Sequence, residues 1–261
     1  VLDREFLHPD GSLAGAYSQD NYLKLPIHSN LAKAGMDYSP SKNTTIGIVF
    51  TGLISQYDPT GTNSSDVLDS LRQKTSYFKT NSDASNRLNN FAGNLNFKHE
   101  IDTTGQEITA DLDYARYGVN SVQNYTTRYY NLDGTPAQPD DILKDDQPGT
   151  LSIYSVKTDY TLPIGKQDKF EAGFKSSYVK ADNNLSFYNI LSGAPVFDTT
   201  KSNHFIYREN INAGYLNYSK NIKQYKFQLG LRAEQTIANG DQLATANKFR
   251  NSYVQFFPSI F

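Results

Sequence analysis

Residues 210–236 read NINAGYLNYSKNIKQYKFQLGLRAEQT, and this stretch decides the fold because apolar and polar residues alternate on both sides of a short polar turn. The apolar members are Phe227, Leu229, Leu231 and Ala233 in the second half and Ile211, Ala213 and Tyr215 in the first. A period of two indicates strands with one apolar and one polar face. Because these positions are odd-numbered on both sides of the turn, placed at Lys220–Gln224, the sequence predicts that they share one face of a hairpin.

The length of the two arms narrows the fold class further. Each arm runs for about 13 to 15 residues, whereas a typical globular strand has about five or six. A strand needs about 9–11 residues to cross a bilayer at a tilt. Long, two-faced antiparallel arms therefore favour a membrane β-barrel over a soluble sheet.

Composition excludes several other classes of protein. The chain has 261 residues, a net charge of −2 and no Cys, so disulfide-stapled folds, cysteine metal sites and thiol catalysis are excluded. The charge balance predicts no bulk attraction to nucleic acid. No run approaches the roughly 18 apolar residues of a helical membrane span. The absence of such a run does not exclude a membrane barrel, because only alternate residues of its strands contact lipid.

The alternating pattern recurs along the whole chain. Short turns near residues 41, 104, 165 and 222 alternate with long polar stretches at 58–85, 131–149, 181–203 and 238–248. The sequence thus predicts an all-β fold, an antiparallel up-and-down meander of about nine or ten long strands that is part of a larger transmembrane barrel. Short turns are expected in the periplasm and long loops, marked by Gly61, Gly134, Gly193 and Gly240, outside. A soluble all-β sandwich or up-and-down sheet is the alternative.

Motifs that would carry chemistry are absent from the sequence. The four His residues are scattered without metal-ligand spacing, and no nucleophile elbow or Walker motif occurs. We therefore predict no catalytic, cofactor-binding or metal site, no cofactor and no enzyme activity, with substrate-binding residues unknown. Carboxylates cluster in two of the polar stretches, where a solvated loop is favoured over a Ca²⁺ site: Asp58, Asp66, Asp69, Asp140, Asp141, Asp145 and Asp146.

Charged residues on the alternating strands are expected to face a lumen, since an Arg or Lys facing lipid at mid-bilayer costs about 2–4 kcal/mol. The residues concerned are Lys98, Glu100, Asp111, Asp113, Arg116, Glu171, Lys175, Arg208, Arg232 and Glu234. They line either a solvated lumen wall or a substrate path. Aromatic residues near the turns fit an interfacial girdle or ordinary strand propensity: Tyr38, Tyr160, Tyr215, Tyr225, Phe227 and Phe256.

The region Phe170–Phe261 resembles the C-terminal barrel of TonB-dependent receptor-like outer-membrane proteins of Bacteroidetes, the outer membrane β-barrel protein family. The resemblance rests on Tyr218-Ser219-Lys220 before a short turn, on the strand end Gly230–Thr236 (GLRAEQT), and on Phe257-Pro258-Ser259 in an aromatic strand. It implies a barrel of about 22 strands with a plug domain in its lumen. Residues 1–261 would then be a partial barrel domain, with the plug domain and last strands absent.

The same resemblance implies a function and a set of partners. The expected function is binding and TonB-dependent uptake of a nutrient, which could be a metal chelate, an oligosaccharide or a peptide. The expected location is the bacterial outer membrane, and the expected partners are the lipid bilayer, a plug domain, the TonB energy-coupling system and the nutrient, without nucleic acid. A non-transporting surface-binding or structural barrel is the alternative, and an outer-membrane hydrolase is the third possibility.

Overall fold

The chain forms one antiparallel sheet of thirteen strands in a computed structural model that describes residues 2–165, 167–222 and 224–261. Within those ranges no residue is helical, and no helix is long and apolar enough to cross a membrane. Val1, Lys166 and Lys223, the last two expected in short turns, lie outside the described residues. The all-β antiparallel prediction is confirmed.

The strands are, in chain order, β1 Leu2–Leu7, β2 Leu13–Lys24, β3 Ile27–Ser41, β4 Thr44–Tyr57, β5 Thr60–Leu68, β6 Lys74–Glu100, β7 Glu107–Asn131, β8 Asp141–Ile164, β9 Asp168–Leu191, β10 Ala194–Phe197, β11 Asn203–Ile222, β12 Tyr225–Gln242 and β13 Asn247–Ile260. They pair in the order β1-β2-β5-β6-β7-β8-β9-β11-β12-β13, β10 pairs with β9, and β4 pairs with β3 and β6, so that β6 pairs with both β4 and β5.

Two of the long strands are interrupted by proline. Pro26 separates β2 from β3 and Pro59 separates β4 from β5, yet the register continues across both breaks, with Ile27 opposite Tyr57 and Lys24 opposite Thr60. Proline has no N–H to donate to a ladder, so it interrupts pairing locally. The sheet therefore contains nine long strands, as the sequence predicted, plus the short β1 and β10.

The strands are much longer than a bilayer crossing requires. β6 has 27 residues, β7 has 25, and β8 and β9 have 24 each, against the roughly 9–11 needed. Most of the four long polar stretches are consequently strand and not loop, which corrects the sequence prediction. Gly61 and Gly240, expected in loops, lie in β5 and β12.

The loop prediction failed for a physical reason. Beyond the membrane both faces of a strand are wet, so the apolar alternation disappears while the backbone ladder continues. Polar side chains there bond across strands, as Thr80 does with Thr127 at 2.9 Å and Asn124 with Asp83 at 3.0 Å. In these stretches a polar sequence thus indicates strands whose two faces are both exposed to water, and it does not indicate loops.

The short turns lie where the sequence predicts them. The best-defined one follows β6, where the carboxylate of Asp102 accepts hydrogen bonds from the Thr104 hydroxyl at 2.7 Å and the Thr104 and Gln106 amides at 2.9 and 3.2 Å. These donors, led by the hydroxyl, lower the pKa of Asp102. Gly105 supplies the left-handed conformation that closes the turn, with φ at 95°.

The register of β11 and β12 corrects the prediction made for the opening hairpin. Ile222 pairs with Tyr225, so two residues lie between the last pair of the hairpin. Each odd-numbered residue of β11 therefore lies opposite an even-numbered residue of β12. Leu231 faces the same way as Leu216, whereas Tyr215 faces the same way as Arg232. Ile211, Ala213 and Tyr215 therefore lie on the opposite face from Phe227, Leu229, Leu231 and Ala233.

Registers assign every strand residue to one of two faces. We call the face that carries Leu112, Leu216 and Leu231 the outer face and the opposite one the inner face. These three leucines keep 49%, 51% and 49% of their surface uncovered. Apart from them, the outer face near the short turns carries Ile46, Ile48, Phe97, Leu95, Ile108, Val156, Phe170, Phe174, Leu229 and Phe256. It is an apolar band of the kind that meets lipid.

The registers also give the strand tilt. Ile108, Tyr160, Ala172, Leu216 and Leu231 form one row of directly paired residues. The row begins one residue from the short-turn end of β7 at Glu107 and reaches β12 six residues from Tyr225. A shift of about five residues, or ~16 Å, over four strand spacings of ~4.8 Å corresponds to a tilt of roughly 40°. Barrel strands are typically tilted by about 35–45°.

A charge placed on the outer face should destabilise the protein more than the same charge on the inner face. We expect Leu216→Arg to lower the free energy of unfolding in lipid vesicles by about 2–4 kcal/mol, because arginine would meet hydrocarbon. Asn217→Arg, on the next residue and the inner face, is the matched control and should cost much less. Urea titration of both variants measures the difference, and a greater loss for Asn217→Arg would reverse the face assignment.

Candidate functional site

The inner face is a charged wall on the half of the sheet nearest the short turns. Eight of the ten residues predicted to face a lumen lie on it: Lys98, Glu100, Asp111, Asp113, Glu171, Lys175, Arg232 and Glu234. Glu107, Lys157 and Asp159 lie on the same face. The inner face is therefore polar where the outer face is apolar, as a barrel wall with an aqueous lumen requires.

Opposite charges alternate along individual strands of this wall. Lys98 Nζ lies 3.1 Å from Glu107 and 3.2 Å from Glu100. The same spacing of two residues gives ion pairs in Lys157–Asp159 at 2.5 Å, Lys169–Glu171 at 2.7 Å and Arg232–Glu234 at 2.9 Å. These side chains are partly exposed, so water screens each pair and its contribution to stability is small. The pairs thus give Lys98, Lys157, Lys169 and Arg232 each a counter-charge within the wall.

Arg116 and Arg208, also predicted to face the lumen, lie on the outer face instead. Arg116 pairs with Phe91 and Ser152, and Arg208 pairs with Lys180 and Asn239. The sequence predicted an inward direction because both residues are charged. In the structure, even-numbered residues of β7 and β11 share the outer face with Leu112 and Leu216, and both arginines are even-numbered. Both arginines lie towards the end of the sheet opposite the short turns, which we call the long-strand end. They lie beyond the apolar band, where a charge that faces lipid is tolerated.

Aromatic side chains form a continuous row across the outer face. Ring centroids are 6.0 Å apart between Phe50 and Phe91, 6.3 Å between Phe91 and Tyr114, 5.0 Å between Tyr114 and Tyr154, and 6.3 Å between Tyr154 and Tyr178. We call this the aromatic row. It borders the apolar band on the long-strand side, where interfacial aromatic residues are expected. Sequence reasoning missed it because the members lie on five separate strands.

Of the six aromatic residues that the sequence proposed for a girdle, five face outward: Tyr38, Tyr160, Tyr225, Phe227 and Phe256. Tyr215 does not, which is a correction that follows from the β11 register. Its hydroxyl donates a hydrogen bond to Asp159 on the inner face. Tyr215 thus ties β11 to the inner charges of β8, across β9.

The carboxylate clusters are dispersed by the fold. Asp140 is bound by Arg128 Nε at 3.0 Å, and Asp66 by Lys74 Nζ at 2.6 Å. Asp145 and Asp146 lie on opposite faces of β8. No group of three or more His, Cys, Asp or Glu side chains in the described ranges is arranged to hold a metal ion. The absence of metal, cofactor and catalytic sites stays a prediction.

One histidine contact was missed by sequence reasoning. His204 Nε2 lies 2.8 Å from Asp182 Oδ1, on the outer face towards the long-strand end. The two residues are 22 positions apart in the sequence and become neighbours through the β9–β11 register. No spacing rule would have found this pair, since only the pairing of distant strands creates it.

The tilted strands, apolar outer face and charged inner face define the wall of a membrane-spanning β-barrel. A family model described as the outer membrane protein beta-barrel family matches residues 99–261, more than half of the chain. The chain therefore belongs to the outer membrane protein beta-barrel family, and its location is the bacterial outer membrane. The bilayer around the outer face follows from that location.

The chain was also compared with solved structures and with curated protein sequences. The ferric citrate transporter FecA, whose crystal structure shows the unliganded form, is similar to the chain with 12% identity and a TM-score of 0.36. The similarity covers 90% of this chain and 41% of that of FecA, so the chain spans less than half the length of FecA. No curated protein sequence matches the chain.

Sidedness follows from the asymmetry between short turns and projecting strands. In the full-length protein we expect Ser70→Cys and Thr245→Cys, at the long-strand end, to react with a membrane-impermeant maleimide on intact cells. Lys42→Cys and Thr103→Cys, in short turns, should react only after lysis, because short turns face the periplasm. All four side chains are exposed, and the chain has no Cys of its own.

Thiols elsewhere in the full-length protein are first replaced, so that each variant has a single reactive group. Labelling of Lys42→Cys and Thr103→Cys on intact cells, with protection of the other two variants, would invert the orientation.

Proposed function

We propose that the chain is part of the wall of a TonB-dependent receptor, which binds a nutrient on the medium side and admits it through the lumen. A metal chelate, an oligosaccharide and a peptide are the candidate nutrients. A plug domain and the TonB energy-coupling system are the proposed partners, and a member of the Bacteroidetes is the proposed source. The chain itself is proposed to have no enzyme activity.

A concavity on the inner face carries this proposal. It has a volume of about 650 Å³ and lies beyond the charged wall, towards the long-strand end. Tyr117, Val119, Leu151 and Ala181 supply apolar and aromatic surface, while Gln147 and Asn183 supply amides. Ligand sites typically combine about 300–1,000 Å³ of mostly apolar surface with a few polar groups. A lumen-facing concavity of this composition suits a solute that enters from the medium.

The number of long strands supports a wide lumen. Barrels of about eight strands fill their interior with side chains. Here nine long strands still form an open sheet, because β3 and β13 each have one neighbour in the part of the chain that the structure describes. We propose that further strands close the barrel and leave room for solute and plug.

Uptake by the full-length protein tests the function. Cells that carry or lack the gene are offered labelled metal chelates, oligosaccharides and peptides, with and without a protonophore. We expect one class to accumulate only with the gene present and the proton gradient intact. Asn183→Ala should weaken binding of that solute about three- to tenfold, the equivalent of one hydrogen bond.

Asn120→Ala is the matched control, because Asn120 lies on the outer face of β7, opposite Pro148, and does not line the concavity. It should leave uptake unchanged. Binding without gradient-dependent accumulation would replace the proposal by a surface-binding barrel, and release of a cleaved product would replace it by a hydrolase. Equal effects of the two substitutions would remove the inner concavity as the binding surface.

A further inference from the structure

Basic side chains form a second row on the outer face, immediately beyond the aromatic row. By direct pairing of neighbouring strands the row contains Arg116, Ser152, Lys180, Arg208, Asn239 and Arg250. We call it the basic row. Three of its members, Arg116, Ser152 and Lys180, lie two residues along their strands from Tyr114, Tyr154 and Tyr178. On β7 and β9 a cation thus follows directly beyond an aromatic ring on the same face.

The basic row contains a like-charge contact. Lys180 and Arg208 lie directly opposite each other on adjacent strands, an arrangement that destabilises a sheet. Arg208 Nη1 has one counter-charge, Asp241 at 2.7 Å. Among the residues that the structure describes, no carboxylate lies within 4.0 Å of the Lys180 ammonium or the Arg116 guanidinium. The row therefore has more positive charge than its protein neighbours neutralise.

The depth of these cations matches a head-group layer. Arg116 lies nine residues beyond Glu107, Lys180 twelve beyond Asp168, and Arg208 fourteen before Ile222. At a tilt of roughly 40° these separations correspond to heights of about 23, 30 and 35 Å above the short turns. An outer-membrane barrel has an apolar band about 25 Å tall. The basic row lies at and above the border of that band.

Polar residues lie just below Lys180 and Arg208 on the same two strands. Ser176 Oγ donates to Asn212 Oδ1 at 2.6 Å, and Asn212 Nδ2 donates to Asn210 Oδ1 at 2.6 Å. All three residues are on the outer face. Such groups are costly against hydrocarbon, whereas ester and amide linkages at the base of a lipid head group offer them partners.

An apolar groove lies below these polar residues. It has a volume of about 610 Å³ and is centred on Ala172, Gly214 and Ala233, with Tyr160, Phe174 and Leu216 as walls. A Cβ at Gly214 would meet no atom within 4 Å, so the floor is open. The groove begins at Phe174, six residues below Lys180, a rise of about 20 Å along the strand. That span suits an extended acyl chain.

We propose that this strip of the outer face seats one lipid of the leaflet on the long-strand side, with a phosphate-bearing head group on Arg116, Lys180 and Arg208. Ser176, Asn210 and Asn212 contact the linkage region, and one acyl chain occupies the groove at Gly214. Three chemical layers of the protein match three layers of the lipid in the same order. The phosphate supplies the counter-charge that the basic row lacks, and the occupant is a membrane lipid rather than a dissolved anion.

Lipid quenching of a single Trp tests the proposal. The chain has no Trp, so Tyr178→Trp introduces a reporter between the cations and the groove once any Trp elsewhere in the full-length protein has been replaced. The protein is reconstituted in phosphatidylcholine vesicles that contain brominated phosphatidic acid or brominated phosphatidylcholine. We expect stronger quenching by the phosphomonoester lipid. Lys180→Gln should reduce that preference roughly fivefold, and Arg116→Gln with Lys180→Gln should abolish it.

Lys175→Gln is the matched control, since Lys175 lies on the same strand but on the inner face, and it should keep the preference. Lys180→Arg should also keep it, which separates charge from folding if a glutamine variant folds poorly. An unchanged preference in Lys180→Gln, or an equal loss in Lys175→Gln, would overturn the proposal. Full competition by inorganic phosphate would overturn it as well, because the site would then take a soluble anion.

Discussion

The backbone hydrogen-bond ladder is the constraint on which this structure depends. In a bilayer each unpaired backbone group costs several kcal/mol, so a strand must have a partner along the whole of its membrane crossing. The chain has almost no core that could hold it together otherwise. Within the described ranges the buried apolar side chains are three alanines, Ala16, Ala213 and Ala238. Pairing of adjacent strands and contact with lipid therefore take the place of core packing.

The positions of proline follow from this constraint. Pro26 and Pro59 lie between strand segments and leave the ladder before and after them intact. Pro148 lies inside β8, and the pairing of β8 with β9 is interrupted there, between Asp146 and Gly149. All three lie in the projecting half of the sheet, where water can satisfy a backbone group that loses its partner. The membrane half avoids such interruptions except near its turns and edges.

How much of this was predictable from the sequence depends on the range of the interaction. Strands and short turns are local, and alternation and turn residues revealed them. The prediction that the odd-numbered residues of β11 and β12 share one face was wrong. Which residues share a face depends on which two residues close the turn, and a shift of one residue exchanges the faces. The aromatic row, the basic row and the His204–Asp182 contact combine positions from separate strands, so only the registers reveal them.

The two faces use the same charged residue types in opposite arrangements, and the difference indicates where a partner is needed. On the inner face Lys157 and Arg232 each have an anion two positions along their own strand, in Asp159 and Glu234. Such pairs give these cations a counter-charge within the strand and present alternating charge to the lumen. On the outer face Lys180 and Arg208 are like-charged neighbours, and of the two only Arg208 has a carboxylate within 4.0 Å among the described residues, that of Asp241. Among the described residues, the cations of the basic row thus have fewer ion-pair partners than those of the inner wall.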